Sequence, residues 1–136
     1  MKALVVVLLA LSGVEGGLAA LIPEQESRFV AIEIYAQTDG TPLAAWQIEI
    51  LSNAKIVGVE GVDQPPYYDP AALEGGRIIL AQFTTDPNPP AGRVLIARVH
   101  MMESGKTDYA AKVMAAASPG GARIAPRIDL VRVGGK

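Results

Sequence analysis

Apolar residues recur at every second position through most of this chain, which is the period of a β-strand. The segment FVAIEIYAQ, residues 29–37, places four apolar side chains on one face: Val30, Ile32, Ile34 and Ala36. The segment LAAWQIEIL, residues 43–51, repeats the pattern with Ala44, Trp46, Ile48 and Ile50. Side chains at alternate positions point to opposite faces of a strand, so each segment is predicted to have one face on a core.

Three later segments also predict strands. In AKIVGVEG, residues 54–61, Gly58 indicates a bulge or a close backbone contact. The unbroken apolar run in GGRIILAQFTT, residues 75–85, predicts a strand covered on both faces. RVLIARVHMME, residues 93–103, is expected to place one apolar set on a single face: Leu95, Ala97, Val99 and Met101.

The segment TDYAAKVMAAASPGG, residues 107–121, fits two structures. Its alanine content, with Asp108 as a cap and Pro119 as a stop, favours a helix. Its alternation favours a strand and groups Tyr109, Ala111, Val113 and Ala115 on one face. The spacing of the neighbouring strands decides for a strand. A last strand is expected in ARIAPRIDLVRV, residues 122–133, where Pro126 indicates an edge or a break.

Turn-forming residues separate these segments. TDGTP at residues 38–42 and DPNPPAG at residues 86–92 carry glycine and proline, and proline lacks the donor that a strand interior needs. About seven to nine short strands without long amphipathic helices between them predict an all-β fold. We expect an antiparallel β-sandwich of the jelly-roll type.

The first twenty residues, MKALVVVLLALSGVEGGLAA, have the three parts of a secretory signal: a positive start at Lys2, an apolar run and a small-residue end. The run is roughly ten residues long, whereas a bilayer span needs about twenty. We therefore predict a signal peptide over residues 1–20 and a single domain over residues 21–136. The mature chain is expected outside the cell or in the periplasm, without a transmembrane segment.

Composition excludes some partners and chemistries. The chain has no cysteine, which excludes disulfides, thiol catalysis and thiolate metal sites. Its formal net charge is −2, and its basic residues are scattered along the sequence. Such a chain has no field that would collect phosphates, so nucleic acid is not an expected partner.

The segment DQPPYYDPAAL, residues 63–73, is unusual because only 5% of the chain is aromatic. Asp69 can cap a short helical turn that begins at Pro70 and ends near Gly75. Tyr67 and Tyr68 are the candidate binding residues; one ring is expected to pack beneath the loop and the other to be exposed. An exposed ring can anchor a protein partner or stack on a sugar. Trp46 is expected in the core.

Catalysis is not expected. The single histidine, His100, is predicted to be a partly exposed strand residue. Loop carboxylates could in principle form an acid–base pair or hold calcium, the candidates being Glu60, Asp63, Asp69 and Asp86. Their spacing matches neither an EF-hand nor a zinc site. The prediction is a non-enzyme without a cofactor, with calcium as the alternative.

The order of these segments resembles a cohesin domain, within the wider group of cohesin-like and carbohydrate-binding-module-like β-sandwiches. The segments that carry the resemblance are VAIEIYA, LAAWQIEIL, AKIVGVEG, GGRIILAQF and AGRVLIARVHM. One departure is that YYDPAAL comes later than the Tyr-Asp-Pro that often follows the aromatic strand of cohesins. The resemblance implies an extracellular, non-catalytic module that binds a protein partner and is linked to polysaccharide-degrading machinery. A carbohydrate-binding module is the alternative.

Overall fold

The computed structural model describes residues 26–134, so the expected signal peptide lies outside the described residues. The described chain forms seven strands and one short 3₁₀ helix. The strands, numbered in chain order, are β1 (Ser27–Gln37), β2 (Ala45–Ser52), β3 (Lys55–Glu60), β4 (Arg77–Phe83), β5 (Arg93–Ser104), β6 (Tyr109–Ala117) and β7 (Arg127–Gly134). The 3₁₀ helix spans Pro70–Glu74. Within residues 26–134, no helix is long and apolar enough to cross a membrane.

The strands form two antiparallel sheets, which confirms the predicted all-β sandwich. One sheet has four strands in the order β3-β5-β1-β7, and the other has three in the order β4-β2-β6. Odd-numbered strands lie in the first sheet and even-numbered strands in the second, so each connection crosses between sheets. Residues 107–121 do contain a strand, β6, rather than a helix.

The core lies between the two sheets. The predicted inward faces of β1 and β2 are buried except at Ala44, which precedes β2 and is half-buried. β3, β4 and β5 contribute further apolar side chains. The most deeply buried apolar side chains are Ile32, Ile34, Ile48, Ile50, Ile56, Ile78, Leu80, Val99 and Met101. Full burial of each such side chain contributes about 1.5–3 kcal/mol. Burial of alternate residues holds the sandwich together without disulfides.

Two bulges change the faces predicted for β5 and β6. In β5, Ile34 pairs with Ala97 but Tyr35 pairs with Leu95, so Ile96 is an extra residue. Leu95 therefore lies on the outer face, contrary to the prediction that groups it with Ala97.

In β6, Gln47 pairs with Ala115 and Ile48 with Val113, so Met114 is the extra residue. Ala116, rather than the predicted Ala115, is buried. A third bulge, in β3, separates Ile56 from Gly58 in the pairing with β5 and confirms the irregularity expected at Gly58.

The expectation that β4 is covered on both faces is wrong. Ile78 and Leu80 are buried between the sheets, but Ile79 is only half-buried and Phe83 is exposed. The reason is that β4 alternates like its neighbours, so Ile79 and Phe83 lie on the outer side of the sheet. The apolar run in β4 thus supplies one buried face and one face on the outer surface of the sheet, rather than a second core.

The segment after β3 forms the predicted capped turn. The Asp69 carboxylate accepts a hydrogen bond of 3.0 Å from the backbone N–H of Ala71, and Pro70 is the first residue of the 3₁₀ helix. Gly75 follows the helix and donates its N–H to the carbonyl of Ala72. β7 begins directly after Pro126 and forms an edge of its sheet, as the proline indicated.

Candidate binding site on the three-stranded sheet

Tyr67 is held against the edge of the three-stranded sheet by its backbone. Its N–H donates to the carbonyl of Ala81 at 2.7 Å, and the N–H of Ala81 donates to the carbonyl of Tyr67 at 3.0 Å. Pro65 and Pro66 precede it and restrict the loop. The two hydrogen bonds fix Tyr67 beside β4 and cover part of that strand's free edge.

The two candidate tyrosines point in different directions, as expected. Tyr67 is 66% exposed, whereas Tyr68 is half-buried and packs against the core. The Tyr67 ring stacks on Phe83, with 6.3 Å between ring centroids and 11° between planes. Phe83 is itself 63% exposed. The structure therefore pairs Tyr67 with Phe83, whereas Tyr68 packs partly against the core.

Sequence analysis missed Phe83 as a site residue. It is the last residue of β4, and Thr84 and Thr85 follow it. These two polar residues were the signal in the sequence that the end of the apolar run is exposed to solvent. The expectation that both faces of this strand are covered leaves no place for an exposed ring at Phe83.

A groove with a volume of about 640 Å³ runs beside the aromatic pair. Trp46 is buried, with 8% exposure, yet it lines the groove. Loops 61–67 and 84–90 form its walls. Its lining includes Leu43, Val62, Asp63, Gln64, Pro65, Tyr67, Gln82, Phe83, Thr84, Thr85, Asp86, Pro89 and Pro90. The volume lies within the usual range of ligand sites, about 300–1,000 Å³.

Hydrogen bonds fix the groove walls relative to each other. The Gln82 side-chain amide donates to the carbonyl of Gln64 at 2.9 Å, which connects β4 to the Tyr67 loop. The Leu43 N–H donates to the carbonyl of Pro90 at 2.9 Å. The Asp86 carboxylate accepts from the N–H of Asn88 at 2.9 Å within its own turn. The groove is thus formed before any ligand arrives.

The outer surface of the three-stranded sheet continues from the aromatic pair. We call it the three-strand face, and it comprises Ala45, Gln47, Glu49, Leu51, Tyr67, Arg77, Ile79, Ala81, Phe83, Ala110, Lys112, Met114, Ala115 and Ala117. Leu51 and Met114 are exposed large apolar residues. Glu49 forms an ion pair with Arg77 at the start of β4. The exposed apolar side chains therefore share this face with a few charged ones.

The outer surface of the four-stranded sheet combines a charged cluster with exposed apolar side chains, among them Phe29 and Val133. Arg98 on β5 donates to Glu33 on β1 at 2.7 Å and to Glu60 on β3 at 3.0 Å. The Tyr35 hydroxyl also donates to Glu33, at 3.0 Å. The Arg98 guanidinium, followed by the Tyr35 hydroxyl, lowers the pKa of the Glu33 carboxyl. Arg98, Glu33 and Glu60 therefore satisfy one another's charge.

His100 belongs to this charged surface. Its Nε2 lies 2.8 Å from the Glu60 carboxylate, and its side chain is 44% exposed. The contact with His100, followed by that with Arg98, lowers the pKa of Glu60. The prediction of a partly exposed strand histidine is confirmed. Within residues 26–134, no three His, Cys, Asp or Glu side chains group in a way that could hold a metal ion.

The four loop carboxylates singled out in the sequence do not form one cluster. Asp63 and Asp86 line the groove, Asp69 caps the 3₁₀ helix, and Glu60 bonds Arg98 and His100. Asp63 and Asp86 line the same groove as the exposed rings of Tyr67 and Phe83.

Comparison with known proteins gives one sequence similarity. An aspartate–tRNA(Asp/Asn) ligase of Chelativorans sp. (strain BNC1) is 32% identical to this chain over 112 residues. The match covers 81% of this chain but 18% of the ligase, so the chain spans less than a fifth of that protein. No protein-family model matches the chain. No solved structure matches it either.

Proposed function

We propose that this chain is a secreted, non-catalytic interaction module, similar to a cohesin, that binds a protein partner on its three-strand face. The observation that carries this function is the set of exposed apolar side chains on that face: Leu51, Tyr67, Phe83 and Met114. Polysaccharide-degrading machinery outside the cell is the expected setting for such a module.

The stacked pair of exposed rings, Tyr67 and Phe83, supports the choice of face, since exposed apolar side chains also lie on the four-stranded sheet. On the four-stranded sheet, ion pairs join Arg98 to Glu33 and Glu60, and a partner would have to replace them. On the three-strand face, a partner would cover apolar area, which is favourable by about 25 cal/mol per Å². Aromatic anchors surrounded by flat surface are typical centres of protein interfaces.

The alternative is carbohydrate binding, which the parallel exposed rings of Tyr67 and Phe83 favour. Polar groups beside the rings, such as Asp63 and Gln82, are of the kind that bond sugar hydroxyls. The burial of Trp46 leaves two rings rather than three for such a site. Leu51 pairs with Arg77 at the start of β4, at the opposite end of that strand from Phe83 and the groove, so a sugar in the groove would leave Leu51 uncovered. We therefore rank a protein partner first.

A capture experiment tests the proposed function. The purified chain would be immobilised and exposed to the culture medium of the producing organism, and bound proteins would be identified by mass spectrometry. Binding of the purified partner is then titrated with wild type, Phe83→Ala and Leu51→Glu. We expect each substitution to weaken binding by tenfold or more, as truncation of an interface hot spot does.

Phe29→Ala is the matched control. Phe29 is the chain's other phenylalanine, is 68% exposed and lies on the opposite sheet, where it pairs with Met102. Its removal should leave the affinity unchanged. Equal losses for Phe29→Ala and Phe83→Ala would contradict the assignment of the three-strand face. Retention of the chain on insoluble polysaccharide, without a captured protein, would favour the carbohydrate alternative.

A further inference from the structure

We propose that the groove beside Tyr67 and Phe83 accepts an extended, proline-containing peptide segment that carries arginine or lysine. This inference rests on the proposed function, because it names the chemistry of the partner at one end of the three-strand face. The occupant is a short stretch of a partner protein. A basic side chain of that stretch would lie between the aromatic pair and two carboxylates.

The charge of the groove selects a cationic occupant. Asp63 and Asp86 line it, and among the described lining residues there is no lysine or arginine. One oxygen of the Asp86 carboxylate accepts the N–H of Asn88, and the other makes no hydrogen bond within residues 26–134. A guanidinium or ammonium group there would gain a charge-assisted hydrogen bond.

The aromatic pair adds a second attraction for a cation. The faces of Tyr67 and Phe83 carry negative electrostatic potential, and both rings are exposed. The chain already contains such a contact elsewhere, because the Arg93 guanidinium lies 4.1 Å from the centroid of the Tyr35 ring. A cation with an apolar stem can contact the rings and reach the carboxylates.

The remaining lining suits proline. Pro65, Pro89 and Pro90 are part of the groove together with Trp46. Proline-containing segments that lie in aromatic-lined grooves form a recurrent mode of peptide recognition. Such segments are extended before binding and lose little conformational entropy. The hydrogen bond from Gln82 to Gln64 keeps the groove open in advance, which lowers the cost of binding further.

The single tryptophan provides the measurement. Trp46 lines the groove, and the chain has no other tryptophan, so its fluorescence reports on occupancy. The probe is a blocked peptide of alternating proline and arginine, and the matched probe replaces arginine with glutamate. A soluble β-glucan oligosaccharide forms the third arm. We expect saturable binding of the arginine peptide and at least tenfold weaker binding of the glutamate peptide.

Two variants test the carboxylates without changing their shape. Asp63→Asn and Asp86→Asn should together weaken the arginine peptide severalfold and remove the preference for arginine over glutamate. Asp108 is an exposed aspartate outside the groove, so Asp108→Asn should change neither the affinity for the arginine peptide nor the preference for arginine. Equal affinity for both peptides, or saturation by the oligosaccharide alone, would overturn the inference.

The outcome separates this inference from the proposed function. If the captured protein depends on Phe83 and Leu51 but no peptide shifts the fluorescence, the groove inference is wrong and the docking face stands. If the arginine peptide binds the groove and Leu51→Glu leaves the captured partner bound, the broader face is wrong.

Discussion

Glu103 shows how a single charged residue can be buried in this fold. Its side chain is 2% exposed and lies between two arginines. Arg132 donates to it through two nitrogens, at 2.7 and 3.2 Å, and Arg28 donates at 3.2 Å. The hydrogen bonds from Arg132 lower the pKa of Glu103, whereas burial of the carboxylate raises it. The arginine contact dominates, so the pKa of Glu103 is lowered.

We predict that Glu103→Gln destabilises the domain by about 2 kcal/mol at neutral pH, because two arginines lose their carboxylate. A lowered folded pKa gives stability that is present above the unfolded value and lost as pH falls through the folded pKa. The free energies of unfolding of wild type and variant should therefore converge in acid. Urea titrations at several pH values measure this, with Asp108→Asn as the control. A gap that is constant with pH would contradict the ion-pair explanation.

At the scale of the element, the loop between β3 and the 3₁₀ helix determines where Tyr67 lies. Gly61 begins this loop, and an added Cβ there would lie 1.7 Å from the carbonyl oxygen of Gln64. Gln64 in turn accepts the amide of Gln82 from β4. The loop conformation that presents Tyr67 therefore requires glycine at this position.

We expect Gly61→Ala to destabilise the domain by about 2 kcal/mol or more, since backbone atoms must move to admit the methyl group. The displaced loop should also weaken partner binding. Gly58→Ala is the matched control, because a Cβ at Gly58 meets nothing within 4 Å. Thermal unfolding and partner titration measure both effects. Indistinguishable behaviour of the two variants would show that the loop tolerates rearrangement.

The sequence predicted the inward faces of β1 and β2, but it did not predict which residues interrupt β5 and β6. Alternation is a local property, so Ile32 and Ile48 could be placed from the sequence alone. The extra residues Ile96 and Met114 depend on pairing with a strand far along the chain. Phe83 was missed for a related reason: whether a strand is covered depends on what packs over it.

At the scale of the whole molecule, the order of the strands governs how the domain forms. Consecutive strands in the described chain lie in different sheets. Among the strands that pair, β2 and β4 are the nearest to each other along the sequence. Leu51 pairs with Arg77, for example, across the whole Tyr67 loop. Each strand pairing therefore requires the closure of a long loop.

We predict that the domain refolds in milliseconds to seconds, within the range of β-sandwiches dominated by distant contacts. The fluorescence of Trp46, buried near the end of β2, should follow the process in a stopped-flow experiment. A brief unfolding pulse before refolding keeps prolines in their native isomers and serves as the control. Refolding within microseconds would be incompatible with this topology.

The pairing of β1 with β7 also determines how the domain can be tethered. Val30 pairs with Gly134, so both ends of the described chain emerge at the same pole of the sandwich. Phe83 and Pro90 lie at the other pole, where β4 ends and β5 is about to begin. A linker attached at either end would therefore leave the sandwich at the pole opposite the groove, and the groove would stay accessible to a partner.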